Sequence, residues 1–140
     1  MIVDTSAIVA IVQGELEAES FIRAIRGSRS ARMSAATYLE LGIVIDRVGD
    51  PVLSRRLDEL LAELSIVVVD VSPRHARIAR EAYRDFGKGT GHPAGLNFGD
   101  CFSYALAIGE NDVLLFKGAD FGATDVMPAD LSGGAHDSQE

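Results

Sequence analysis

Apolar positions fall along this chain in two rhythms. Dense apolar runs at residues 2–3, 66–69 and 113–116 have the length of buried strands, residues 66–69 also have their β-branched composition, and Ala31-Met33 reads as a further short strand. The segments between them carry apolar residues at helical spacing. One helix is expected over residues 6–26, with Thr5 or Ser6 as N-cap and Gly27-Ser28 as its end. Ser34 heads another through Arg47. Asp50-Pro51 and Ser72-Pro73 each set a capping side chain before a proline at the first helical position. The helix after Pro51 runs to Leu64 with Leu53, Leu57, Leu60, Leu61 and Leu64 at helical spacing, and the one after Pro73 runs to about Phe86. Residues 87–95 are a glycine-rich loop, and Asn97 caps a last helix that ends at Gly109. Strands alternating with helices predict a parallel, doubly wound α/β sheet. Ligands of such sheets bind beyond the carboxyl ends of the strands.

Composition narrows this picture. With 140 residues, 47% of them hydrophobic, the chain suits a single domain with a real core. We expect the domain over residues 1–130 and a disordered tail over 131–140, where the sequence is LSGGAHDSQE. No apolar run nears the ~20 residues of a membrane span. The apolar start lacks a basic leader region and carries Asp4, which argues against a signal peptide. Cys101 is the lone cysteine, which fits a reducing cytoplasm. The net charge of −8 argues against a general nucleic-acid binder, which is usually basic.

Part of that acidity sits where such a fold places its chemistry. Asp4 follows the first strand and Asp120 the last. Glu40 lies in an otherwise apolar helix, and Asp100 in the first turn of another. Each has a plain structural explanation. Asp4 can cap a helix, Glu40 can reach to solvent, Asp100 at N3 suits the helix dipole, and Asp120 can serve a turn. Asp125 is an alternative to Asp120. Together, however, two strand ends and two helices would bring four carboxylates to one edge. Like charges so placed repel unless a cation neutralises them. An all-oxygen ligand set favours Mg²⁺ or Mn²⁺ over zinc.

The motifs around these acids resemble those of the PIN-domain ribonucleases, specifically the VapC-type toxins of bacterial toxin–antitoxin pairs. MIVDTSAIVAI resembles the family's opening with its first acid, SAATYLELGIV its second-acid helix, LNFGDCFSYALA its third-acid helix and LLFKGADFGATDV its last-strand motif. These segments span residues 1 to about 127. One departure is visible: the family often has two adjacent acids in the last motif, and here Ala119 precedes Asp120. The resemblance implies a three-layer α/β/α sandwich around a mainly parallel sheet. It also implies a metal-dependent endoribonuclease held inactive by a cognate VapB-like antitoxin, and a homodimer. Asp4 and Asp100 would bind the principal Mg²⁺, Glu40 would complete the site or orient water, and Asp120 would support a second metal or a bound water.

The basic residues bear on an RNA substrate. Arg74, Arg77, Arg80 and Arg84 share about a third of one helix's circumference, at ~100° per residue. Lys88 follows them, and Arg23, Arg26, Arg29 and Arg32 form a second run. Either is a solvated face or a phosphate track. GKGTG lacks P-loop spacing, His92 reads as a loop residue and Cys101 as core. Residues 7–12 and the leucine-rich helix read as core that could leave a groove for an antitoxin's amphipathic segment. Two other classes stay open. A phosphorelay receiver would use Asp70 as phosphoacceptor and Lys117 as its lysine, though Asp4 lacks the adjacent acid such a domain needs. A catalytically inactive PIN-fold module would only bind a partner.

Overall fold

A computed structural model describes residues 1–132. Its elements run β1 (Ile2–Val3), α1 (Thr5–Val12), α2 (Ala18–Gly27), β2 (Ala31–Ser34), α3 (Ala35–Asp46), α4 (Pro51–Glu63), β3 (Ile66–Val69), α5 (Pro73–Phe86), α6 (Phe98–Gly109) and β4 (Leu114–Leu115), then a short 3-10 turn over Phe121–Ala123. The expected disordered tail lies, from residue 133 on, outside the described residues.

The caps explain most boundaries. Asp50 accepts from the Val52 amide ahead of Pro51, Ser72 from the His75 amide ahead of Pro73, and Asn97 from the Asp100 amide. Two expectations need correction. The single helix over residues 6–26 is two helices: Gly14 takes a left-handed φ of +64°, and the Glu15 amide closes α1 on the Ala10 carbonyl at 2.9 Å. The N-cap of α1 is Asp4, whose carboxylate accepts from the Ser6 amide; neither Thr5 nor Ser6 takes that place.

All four strands are parallel, in the order β3-β2-β1-β4. The chain builds from β1 outward through β2 to β3, then returns to place β4 on the other side of β1. The order therefore reverses between β1 and β4, and that switch point opens a crevice at their carboxyl ends. Alternating side chains divide the interior. Val3 and Leu115 join Met33, Leu41, Ile45, Leu57 and Leu61 under α1–α4. Ile2 and Leu114 join Leu96, Tyr104, Leu106 and Phe121 under α5 and α6. This is the three-layer sandwich, with a core on each face of the sheet. β3 is an outer strand, and Val67 and Val68 are exposed despite their β-branched side chains.

Candidate active site

Asp4 sits at the carboxyl end of the central strand and is 3% exposed. A carboxylate that buried needs donors, and three are supplied. Its Oδ2 accepts from the Ser6 amide at 3.1 Å and the Ser6 hydroxyl at 2.7 Å. Its Oδ1 accepts from the Ser103 hydroxyl of α6 at 2.5 Å. The Ser6 oxygen in turn accepts from the Lys117 amide at 2.9 Å, which ties the end of β1 to the segment after β4.

Glu40 points from α3 toward the start of α6. Thr5 donates its hydroxyl to Glu40 Oε1 at 2.7 Å. Gly99 leaves the space for this carboxylate: a Cβ on residue 99 would collide with Glu40 Oε2. Asp100 occupies N3 of α6 in a reciprocal capping box. Its amide donates to Asn97 Oδ1 at 2.9 Å, and its Oδ2 accepts from the Asn97 amide at 3.0 Å. The structural role foreseen for an acid at this position is therefore real.

Asp100 is also where the four acids register one another. Its carboxyl is raised to about 6, first by burial and then by the negative fields of Asp4, Glu40 and Asp120, against the pull of the Asn97 amide. The capping box alone would lower it. Asp120, exposed at the head of the 3-10 turn, makes no side-chain cap bond there. Asp125 is engaged elsewhere, accepting from the Tyr104 hydroxyl at 2.6 Å, and burial together with that bond raises the Tyr104 pKa. So the fold brings Asp4, Glu40, Asp100 and Asp120 to one edge and commits Asp125 to packing the last loop.

The acids share the edge without forming a closed cage. Among the described residues, no three Asp, Glu, His or Cys side chains are gathered tightly enough to enclose a metal ion by themselves. The donor set nonetheless fits a hard cation. Mg²⁺ is held through one or two carboxylates and keeps several waters, and unbalanced carboxylate oxygens are what this edge supplies.

Three residues of the site escaped the sequence: Ser103, Thr37 and Gly99. Ser103 is 0% exposed and Thr37 is 1% exposed. The sequence signal was present, since each hydroxyl lies three residues from a helical acid, Thr37 before Glu40 and Ser103 after Asp100, on about the same helix face.

Other candidates separate from the site. Arg74 donates to the Gly109 carbonyl at 2.8 Å and Arg84 pairs with Asp85. Arg77, Arg80 and Arg84 still line one shallow surface concavity with Glu81. Arg32 lies at the amino edge, paired with Asp112 at 3.3 Å, so the run it ends is no track beside the acids. Lys117 pairs with Glu15 and Glu17. Asp70 follows β3, with β2 between that strand and Asp4's, which removes the geometry a phosphorelay receiver requires. Burial, then Asp100, pushes the Cys101 thiol up to about 11, which makes it a poor nucleophile.

The PIN domain family matches residues 1–127. Ribonuclease VapC28 of Mycobacterium tuberculosis is 58% identical over 129 residues, covering 92% of this chain and 97% of its own. Among solved structures, Mycobacterium tuberculosis VapC20, a sarcin–ricin loop cleaving toxin, has a TM-score of 0.69 at 16% identity, over 90% of this chain and 95% of that one. A toxin–antitoxin complex from Klebsiella pneumoniae has a TM-score of 0.66 at 16% identity, over 86% and 88%. At that identity the two structures speak for the fold alone.

Proposed function

We propose, from the premise that this chain belongs to the PIN-domain family and within it to the VapC ribonucleases, that it is a metal-dependent endoribonuclease acting as the toxin of a toxin–antitoxin pair. The observation that carries the reading is the state of Asp100, a partly buried acid on which the fields of Asp4, Glu40 and Asp120 converge.

Asp4 and Asp100 would hold Mg²⁺ or Mn²⁺, with Glu40 and Asp120 beside them. The bound cation supplies a more acidic water and neutralises charge at the phosphodiester. The chain's own groups do the rest. Ser6 and Ser103 hold Asp4 in place by donating to its two carboxylate oxygens. Thr5 holds Glu40 toward α6, where it can accept a proton from water as that water adds to phosphorus and one P–O ester bond breaks. The α6 N-terminus lends its dipole to an anionic substrate. Arg77 and Arg80, exposed on α5, offer backbone contacts to RNA beyond the site. The acidity that argued against RNA is in part the site itself.

The partners follow from the same reading. A VapB-like antitoxin would block the crevice. A homodimer is supported by the apolar side chains of Leu39, Ile43 and Val48, exposed along α3 and the turn after it. Placing a charge there, as in Leu39→Glu with Ile43→Glu, is expected to leave a monomer in light scattering. No helix among the described residues is long and apolar enough to cross a membrane, and we place the protein in the cytoplasm. The deciding experiment is incubation of RNA with the purified protein and Mn²⁺ or Mg²⁺. Cleavage that stops with EDTA and in Asp4→Asn supports the reading; cleavage indifferent to both refutes it. A folded protein that binds antitoxin and never cuts RNA would be the inactive module instead.

A further inference from the structure

The Asp4 carboxylate is the terminus of a buried hydroxyl chain. Ser103 donates to Asp4 Oδ1 at 2.5 Å. The Thr37 and Ser103 oxygens stand 3.2 Å apart, and either could donate. A serine hydroxyl has a single proton, and here it is spent on Asp4. The proton between the two hydroxyls must therefore come from Thr37, which makes the order Thr37 to Ser103 to Asp4 directional. Both hydroxyls are cut off from water, so neither can trade its partner for solvent.

The acceptor geometry of Asp4 gives that order a purpose. A carboxylate offers about four lone-pair directions. The Ser6 amide and hydroxyl fill two on Oδ2, and Ser103 fills a third on Oδ1. About one direction remains, enough for a single metal–oxygen bond and too few for a bidentate grip. Thr37 lies on the helix that carries Glu40, and Ser103 on the helix that carries Asp100. The chain thus fixes Asp4 relative to both other helices that supply acids. We propose that Thr37 and Ser103 form a positioning relay that fixes the ligand geometry of Asp4 toward a divalent cation, an inference that rests on the metal-dependent function above.

The test is Mn²⁺ affinity, measured on the full chain by the electron paramagnetic resonance of free Mn²⁺, for wild type, Asp4→Asn, Ser103→Ala, Thr37→Val, Thr37→Ser and the Ser103→Ala/Thr37→Val double variant. Loss of a group that orients a metal ligand weakens binding by about 10–100-fold. Ser103→Ala is expected to fall in that range and Thr37→Val to lose less. Thr37→Ser keeps the hydroxyl and is expected to bind like wild type. In the Ser103→Ala background, Thr37→Val is expected to add nothing. A packing role predicts the reverse order, because valine preserves the volume of threonine and serine does not. Thr37→Ser binding more weakly than Thr37→Val therefore overturns the relay even if Ser103→Ala fails to fold. So does a folded Ser103→Ala that binds within about twofold of wild type while Asp4→Asn does not bind. If wild type binds no Mn²⁺, or Asp4→Asn binds as wild type does, the metal site and the relay fall together.

Discussion

The two edges of the sheet are built from the same elements and treat charge in opposite ways. At the amino edge, Asp112 precedes β4 and meets the Met1 ammonium at 2.7 Å and Arg32 at 3.3 Å. Arg32 and His75 also pair with Glu110. Burial works to raise the Asp112 pKa, yet the Met1 ammonium, the Val113 amide and Arg32 outweigh it and hold it below the ordinary carboxylate range. At the carboxyl edge, Asp100 is burdened by burial and by three more acids and rises to about 6. At the amino edge Asp112 and Glu110 each face a basic group of the chain itself. At the carboxyl edge the acids reinforce one another's charge, the kind of perturbation that gathers at functional sites.

The widest separation between the edges should appear in catalysis. Asp4→Asn and Asp100→Asn are expected to lower RNA cleavage by about 10³-fold, the scale of losing a group that stabilises transition-state charge. Asp112→Asn should leave the cleavage rate intact and cost about 1 kcal/mol of stability in denaturant unfolding. Equal losses of activity from Asp112→Asn and Asp100→Asn would erase the distinction.

Gly99→Ala comes next. The added methyl group meets the Glu40 carboxylate, so that side chain must move. A displacement of about 1 Å at a reacting centre can cost roughly 10²-fold, and cleavage by this variant is expected to drop accordingly with its melting temperature changed little. A fully active Gly99→Ala would remove Glu40 from the site.

The edges should also answer pH with opposite sign. The folded-state pKa of Asp100 stands near 6, above its ordinary value of 3.8. Between those values the folded protein holds the proton that the unfolded chain has released, so this group lowers stability as pH rises through the window. Asp100→Asn is thus expected to be more stable than wild type near neutral pH in EDTA, with the advantage shrinking toward pH 4 and disappearing under saturating Mn²⁺. Asp112 is depressed, so its contribution is full above the ordinary carboxylate range and is lost as pH falls through its folded value. Asp112→Asn should therefore be the less stable protein near neutrality, its deficit closing in acid. Thermal unfolding against pH measures both slopes, and slopes of the same sign would contradict the comparison.

The smallest effect belongs to α5. Arg77→Ala with Arg80→Ala should weaken RNA binding severalfold at low salt and reduce its salt dependence, leaving turnover at saturating RNA unchanged. A fall in that turnover instead would extend the functional edge along this helix.

Much of this was legible in the chain, for local reasons. Asp50-Pro51, Ser72-Pro73 and Asn97 fixed helix starts because caps are contacts between sequence neighbours. The break between α1 and α2 was missed because apolar spacing carries on past Val12, whereas the turn depends on a left-handed Gly14. The four acids stood out because carboxylates in apolar settings are conspicuous. Thr37, Ser103 and Gly99 did not: the spacing of each hydroxyl from an acid marks a shared helix face, but the partners of these small residues are set only when α3 is laid against α6. The arginines of α5 share a face as their spacing foretold, but Arg74 and Arg84 are occupied by a carbonyl and an aspartate that spacing does not reveal.

One dimension of the sheet sets how little error this arrangement tolerates. β1 is two residues long, with Ile2 given to one core and Val3 to the other. Neither has a duplicate on the same strand. Inserting or deleting a single residue there would exchange the two faces and turn Asp4 out of the crevice in the same step. Folding and chemistry thus share one reading frame, and the middle of the sheet has no slack in which the two could come apart.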